Sequence, residues 1–298
     1  MKQTILGKGA WGEAMGQALQ RRGHTVSWLD KGDIQIPDQT DLLWIALPTQ
    51  AVRECLEKVR GLKPAVPVVS LSKGIEVSTG KRVSEIVAAF CPKSPIAAVS
   101  GPSLAQEITQ QVPTALVAAS TDENFSRTVQ KALHGDALRV YRSPDLIGVE
   151  WGGALKNVYA LAAGMCAGLG LGENSLAGLT TRSLREMSRV AVHFGAQEET
   201  VQGLSGVGDL ILTSYSRASR NRRVGERIGA GDTVAQALAS VDGVCEGIPT
   251  THALHQILLS QKIDAPIAVE LFQVLQGKKT PREGLLALLD RGSKSETE

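Results

Sequence analysis

Near the start of the chain stands Gln3-Thr4-Ile5-Leu6-Gly7-Lys8-Gly9-Ala10-Trp11-Gly12, four residues of strand character followed by a G-x-G-x-x-G loop. Alone, that string is a weak signal. Its surroundings strengthen it. A helical pattern runs from Trp11 to Arg22 and meets Gly23, a residue suited to the left-handed position that closes a helix. A second strand, Thr25 to Leu29, completes a strand–loop–helix–strand unit. In such a unit Gly7 permits the tight turn. Gly9 lets backbone approach a pyrophosphate, and Gly12 lets helix and strand pack closely. The free N–H groups of Ala10, Trp11 and Gly12 at the helix start then face phosphate oxygens. The first thirty residues therefore read as a dinucleotide-binding unit. Asp30 ends the second strand, where an acidic residue accepts bonds from ribose hydroxyls and favours NAD. Lys31 follows directly. It stands either as a solvated loop lysine or as a partner for a 2′-phosphate, so NAD and NADP both remain open.

Outward from this unit, short apolar runs recur at Leu42 to Leu47, Val66 to Leu71, Ile96 to Val99 and Ala115 to Ala119. Most are bounded by Gly, Pro, Ser or Asp and separated by helix-length segments. That alternation predicts an α/β, Rossmann-type, doubly wound and mostly parallel sheet. After Ser143 the strands stop. Ala, Leu and Gly recur at helical spacing, with helices predicted over Arg185 to Phe194, Val234 to Ala239, Thr251 to Ser260 and Ile267 to Leu275. The turn Arg142-Ser143-Pro144-Asp145 divides a dinucleotide-binding domain, residues 1–142, from an all-α domain, residues 143–298.

Composition narrows the function classes. A chain of 298 residues that is 43% apolar can bury a sizeable core. Its net charge of +2 argues against bulk capture of nucleic acid or an anionic membrane, so any anion must meet a local basic cluster. Cys55, Cys91, Cys166 and Cys245 lack C-x-x-C spacing and any metal-site pairing with His, and read as reduced thiols. No signal-peptide core precedes Gly7, and no apolar run reaches the ~20 residues of a membrane span. These features predict a cytoplasmic protein without a metal.

Three segments outside the loop carry chemistry. From Trp151 to Gly172 the only charged side chain before Gly172 is Lys156. A lysine on so apolar a helix either snorkels to water or sits in a polar pocket. In a pocket, desolvation lowers its pKa toward neutrality. Oxidation of an alcohol by hydride loss needs such a base, and the reverse reaction needs its ammonium form. Lys73, in Ser70-Leu71-Ser72-Lys73-Gly74, follows the fourth strand, at the edge where ligands bind in this sheet class. It is a site lysine or an exposed loop lysine. Ser219-Arg220-Asn221-Arg222-Arg223 sets three arginines within four residues, either a solvated helix face or a handle for a phosphate monoester. Upstream, Gly206-Val207-Gly208-Asp209-Leu210 predicts a turn presenting one carboxylate, which caps the next helix, bonds a substrate hydroxyl or holds Lys156.

Together these residues resemble bacterial-type NAD(P)-dependent glycerol-3-phosphate dehydrogenases. The shared segments are GKGAWG at Gly7 to Gly12, LSKGIE at Leu71 to Glu76, SGPSLAQE at Ser100 to Glu107 and GGALKNVYALAAGM at Gly152 to Met165. GVGDLILT at Gly206 to Thr213, SRNRRVG at Ser219 to Gly225 and CEG at Cys245 to Gly247 follow in family order. The resemblance implies interconversion of dihydroxyacetone phosphate and NAD(P)H with sn-glycerol 3-phosphate and NAD(P)+, supplying glycerolipid synthesis. It also implies a second domain like the C-terminal domain of 6-phosphogluconate dehydrogenase, and a homodimer. On matching positions it makes Lys156 the proton donor and acceptor, and sets Lys73 against both substrate and nicotinamide. Gly101, Ser103, Asn157, Asp209 and Thr213 are implied to contact substrate. Ser219, Arg220 and Asn221 are implied to hold its phosphate, with Arg220 also reaching the cofactor. Trp11, Ala105, Val244 and Glu246 are implied to line the dinucleotide.

One departure from the family is plain. Only twelve residues separate Leu29 from Leu42, where the family usually has several dozen. A parallel crossover needs about a dozen, so the connection should be a near-minimal loop without a full helix. Two other functions stay in view. One is a β-hydroxyacid-type dehydrogenase, which shares the loop and a helical lysine but not the need for a phosphate handle. The other is a non-catalytic NAD(H) sensor, which has no need of Lys156 and Asp209 together.

Overall fold

The computed structural model describes residues 1–30, 34–63, 65–135, 137–293 and 295–296. Strand β1 (Lys2–Leu6) leads through the glycine loop into α1 (Ala10–Arg21) and β2 (Thr25–Leu29). Then come β3 (Leu42–Ile45), α2 (Thr49–Lys58), β4 (Val68–Ser70), α3 (Val83–Phe90), β5 (Ile96–Ser100), α4 (Ala105–Thr109), β6 (Thr114–Ala119), α5 (Glu123–Leu133) and β7 (Leu138–Ser143). These seven strands form one sheet in the order β2-β1-β3-β4-β5-β6-β7. Successive side chains go to opposite faces, as the two-residue period of a strand requires. Ile5 and Trp44 join α1 and α5 in one core, whereas Leu6, Leu43 and Ile45 join α2 and α3 in another. Burial on both faces explains why the strands read as continuous apolar runs.

The expected mostly parallel sheet is present, with one reversal. β5 and β6 pair antiparallel, and β7 runs parallel to β6. Strand β7 did not register in the sequence because it lies at the edge. Its exposed Arg139, Tyr141 and Arg142 alternate with buried Leu138 and Val140, which breaks the apolar run. Lys31 falls outside the described residues. Past them, no described residue of the β2–β3 connection is helical. Ile34 and Ile36 instead bond through backbone to Arg60, just past α2, and Ile36 is buried against the α2–α3 core. Twelve extended residues span up to roughly 40 Å, ample to cross back over a five-residue strand.

The reversal decides where the helical half begins. β7 ends at the edge opposite the carboxyl ends of β1, β3, β4 and β5. Helix α6 (Leu146–Gly168), capped by Asp145 through Gly148 N, must run back across the sheet. Leu146 and Val149 pack on Ala98, Val117 and Ala119, and Gly153 faces Ser100 at the end of β5. Ten residues of helix advance about 15 Å, close to the length of a five-residue strand. Lys156, ten residues into α6, therefore emerges at the carboxyl edge.

Around α6 gather α7 (Glu173–His193), α8 (Glu198–Val201), a π-helical turn (Leu204–Gly208), α9 (Asp209–Tyr215) and α10 (Arg220–Gly229). Then follow α11 (Val234–Ala239), α12 (Gly247–Gln261), α13 (Pro266–Leu275) and α14 (Pro281–Leu289). Helices α6 and α10 touch backbone to backbone. A Cβ on Gly164 would sit 2.1 Å from Arg222 O, and one on Gly225 would sit 2.1 Å from Leu161 O. Gly168 and Gly229, one turn further on each helix, are similarly confined. Among the described residues no helix is long and apolar enough to cross a membrane. Replacing Gly225 by Ala must push the two helices apart. We expect a loss of about 2 kcal/mol or more in urea unfolding, and an unchanged midpoint would show that this contact is not under constraint.

Candidate active site

The carboxyl ends of the parallel strands carry the glycine loop after β1, Thr49 after β3, Lys73 after β4 and Gly101 with Ser103 after β5. The helical half brings Lys156 and Asn157 on α6, Asp209 and Thr213 on α9, and Asn221 on α10 to the same edge.

Asp209 lies at the centre. It is fully buried, and one carboxylate oxygen accepts from Lys156 Nζ at 2.9 Å while the other accepts from Lys73 Nζ at 2.6 Å. Thr213 accepts from Lys156 Nζ at 2.8 Å and donates to Asp209 at 3.2 Å, one helical turn along α9. Lys73 Nζ also donates to Gly101 O at 3.0 Å, with Ser103 Oγ at 3.5 Å. The expected turn before Asp209 is a π-helical one. It arrives close to α6 because Gly152 leaves room for Ser205 O, which a Cβ there would approach to 2.9 Å. Asp209 caps nothing; both its oxygens serve the lysines.

Burial sets the electrostatics. Lys156 is 7% exposed, and its pKa falls to about 8. Desolvation is the main cause; Asp209 opposes it, while Lys73 and Arg220 push further down. Burial alone would raise the Asp209 carboxyl, yet the two ammonium groups outweigh it and leave it below its ordinary value. The site thus holds an ionised carboxylate and a lysine able to give or take a proton near neutrality.

Asn157 and Asn221 are tied to the same centre. Asn221 Nδ2 donates to Asn157 Oδ1 at 2.8 Å, and Asn157 Nδ2 donates to Lys73 O at 2.9 Å. The arginine cluster divides. Ser219 caps α10 by accepting from Arg222 N at 3.2 Å. Arg220 is exposed, without a hydrogen-bond or ion-pair partner among the described residues. Its guanidinium passes Gly243, where a Cβ would lie 2.7 Å from Nη1. Arg222 instead turns inward, its Nε and Nη1 buried without a hydrogen-bond partner among the described residues. Arg223 is exposed and likewise has no partner among the described residues, so of the three guanidiniums only Arg222 is withdrawn from solvent.

The glycine loop has the shape a pyrophosphate needs. Gly7 takes φ +102°, a left-handed conformation, and a Cβ there would meet Ala46 O at 2.6 Å. A Cβ on Gly12 would lie 2.1 Å from Gly7 O. Gly9 begins α1 with open space above it and no side-chain cap, so the first-turn N–H groups from Ala10 onward are free of side-chain partners. Trp11 Nε1 is buried without a hydrogen-bond partner among the described residues, and the Trp11 ring lies 5.6 Å from Lys73 Nζ. These residues fit a dinucleotide. Asp30 stands exposed past the end of β2, Ala105 opens α4 half-buried, and Val244 is exposed. Glu246 reaches across, accepting from Thr49 N at 2.9 Å. Sequence reasoning missed Thr49, whose backbone N–H bonds Glu246, and Cys245, which looked like ordinary core.

A glycine-loop cofactor cradle facing a buried proton-exchanging lysine defines a nicotinamide-dependent dehydrogenase. Comparison with known proteins is specific. The family described as NAD-dependent glycerol-3-phosphate dehydrogenase, N-terminus, matches residues 34–126, beginning within the short connection, and its C-terminus matches residues 145–285. A glycerol-3-phosphate dehydrogenase of Acaryochloris marina is 39% identical over 98% of this chain and 96% of that protein. One from a Thermoanaerobacter strain is 38% identical over 99% of each. Its alignment runs over 327 positions against this chain's 298, so that relative carries residues missing here; the Acaryochloris alignment runs over 299. The crystal structure of glycerol-3-phosphate dehydrogenase from Coxiella burnetii superposes with a TM-score of 0.90 at 30% identity, over 97% of this chain and 99% of that one. The chain belongs to the NAD(P)-dependent glycerol-3-phosphate dehydrogenase family.

Asp209→Asn would leave the buried Lys156 and the partly buried Lys73 ammonium groups without a counter-charge. Urea unfolding at pH 7 should show a loss of about 3–5 kcal/mol; a loss below about 1 kcal/mol would mean that water, not Asp209, balances the lysines.

Proposed function

We propose that this chain interconverts dihydroxyacetone phosphate and NAD(P)H with sn-glycerol 3-phosphate and NAD(P)+, supplying glycerol 3-phosphate for glycerolipid synthesis. The observation that carries this reading is the buried Lys156, with its pKa near 8, held by Asp209 and Thr213. When bound, the nicotinamide supplies or accepts the hydride at the substrate's central carbon.

In reduction, the Lys156 ammonium polarises the ketone oxygen and delivers a proton to it. In oxidation, its neutral amine takes the hydroxyl proton. Asp209 holds Lys156 and Lys73 in place, and Thr213 fixes the remaining direction of Lys156 Nζ. Lys73, Gly101 and Ser103 line the substrate, with Lys73 also facing the nicotinamide. Asn157 and Asn221 complete the polar wall. Arg220, with Ser219 and the first turn of α10, meets the phosphate dianion; a guanidinium without a competing carboxylate suits that task. Gly7, Gly9, Ala10 and Gly12 cradle the pyrophosphate. Trp11, Ala105, Val244, Glu246 and Arg220 line the rest of the dinucleotide, with Asp30 at its adenosine ribose; Lys31, a candidate partner for a 2′-phosphate, lies outside the described residues. Residues 1–142 bind the dinucleotide and 143–298 carry substrate binding and subunit contact in a cytoplasmic homodimer, as the family resemblance implies.

Purified protein given dihydroxyacetone phosphate should oxidise NADH or NADPH, read as falling absorbance of the reduced nicotinamide. No fall with either cofactor would sink the proposal. Lys156→Ala should cut turnover by about 10²–10⁴-fold, whereas near-normal turnover would remove Lys156 from proton transfer. Arg220→Ala should chiefly raise the KM for dihydroxyacetone phosphate; an unchanged KM and turnover would refute the phosphate assignment.

A further inference from the structure

Cys245 is buried, and its Sγ lies 3.0 Å from Asn221 Oδ1. Gly247 N donates to the same oxygen at 2.9 Å. A backbone N–H only donates, so this end of the Asn221 amide is its oxygen. Its nitrogen then faces Asn157 Oδ1, which turns the Asn157 nitrogen toward Lys73 O and Gly153 O, at 2.9 and 3.3 Å. The result is a one-way chain of donors: Cys245 thiol, Asn221 amide, Asn157 amide, Lys73 carbonyl. It joins four separate segments of the fold. Asn221 adjoins Arg220 in sequence, and Asn157 adjoins Lys156.

Toward Asn221 Oδ1, an acceptor, the thiol can act only as donor. Burial pushes its pKa up to about 11, so it stays protonated. With two donors on Oδ1, the Asn221 carbonyl is saturated, and polarisation strengthens the N–H groups at the other end. Asn221 Nδ2 has two hydrogens. One goes to Asn157, and the second has no partner among the described residues. Gly247 allows this packing, since a Cβ there would lie 2.8 Å from Asn221 Oδ1 and 2.5 Å from Asn157 O.

We propose that Cys245 is a positioning residue for the reaction: its thiol orients the Asn221 amide, presenting the spare N–H to the substrate's phosphate end and, through Asn157, holding the Lys73 loop against α6. The proposal rests on the reading of substrate given above. It differs from a packing role in needing a donor. Serine at 245 keeps a donor; alanine and valine do not.

The test is steady-state kinetics with dihydroxyacetone phosphate and NADH, together with calorimetric binding of glycerol 3-phosphate and of NADH. The forms compared are the parent, Cys245→Ala, Cys245→Val, Cys245→Ser, Asn221→Ala and the Cys245→Ala/Asn221→Ala pair. Cys245→Ala should raise the KM for dihydroxyacetone phosphate and weaken glycerol 3-phosphate binding by about fivefold, the worth of one modest hydrogen bond. NADH binding should not change. Cys245→Ser should restore substrate affinity to within about twofold, and Cys245→Ala should add nothing in the Asn221→Ala background. Should the alanine variant not fold, the valine variant takes its place. Unchanged substrate affinity in the non-donor variants would overturn the proposal. So would equal losses in serine and alanine, or independent losses in the pair. Loss of the functional reading is separable: the parent would then neither turn over dihydroxyacetone phosphate nor bind glycerol 3-phosphate.

Discussion

One buried carboxylate, Asp209, holds two ammonium groups that arrive from opposite halves of the chain: Lys73 from the sheet and Lys156 from the helical half. At about 4 Å and an effective dielectric of 20, one such attraction is on the order of 4 kcal/mol, and much of that offsets the cost of taking three charges out of water. What the cluster yields is geometric. It fixes where both lysine nitrogens stand, and it tunes Lys156. Desolvation drives Lys156 toward the neutral amine, while Asp209 keeps enough ammonium present to deliver a proton near pH 7. Burial alone pushes the aspartate's pKa up and the lysine's down, and each partner opposes the other's shift.

The fold makes this meeting possible through two constraints. The first is the antiparallel step from β5 to β6. A wholly parallel sheet would release α6 at the carboxyl edge and carry Lys156 away from the cofactor loop. The reversal releases it at the opposite edge, so that ten residues of helix bring Lys156 back to where β4 and β5 end. The second is the glycine contact between α6 and α10. It lets the start of α10 reach α6, where Asn221 bonds Asn157, the neighbour of Lys156.

Much of the site was legible in the sequence because its signals are local. The glycine loop shows in spacing, and Lys156 shows as the lone charge on an apolar helix. Lys73 shows by its place after the fourth strand, whereas Asn157 and Thr213 came from family likeness rather than from pattern, and the structure groups all three around Asp209. Other features depend on distant partners and leave no local trace. The direction of β6 depends on which strand it pairs with. Strand β7, an edge strand, is half polar and therefore quiet. Arg222 turns inward and Arg220 outward on one helix, which charge counting does not separate. The bond from Thr49 N to Glu246 spans nearly two hundred residues and uses a backbone donor that every residue but proline has. The short connection after β2 was legible as a length, but its packing through Ile36 was not.

The measurement that bears most directly on the central claim is the pH dependence of kcat/KM for reduction of dihydroxyacetone phosphate. That ratio reports the free enzyme. Reduction needs the Lys156 ammonium, whose pKa is lowered to about 8. The rate should therefore be level below that pH and fall about tenfold per unit above it. A profile level to pH 10 would contradict the account, because the proton would then come from a group other than the lysine that Asp209 holds.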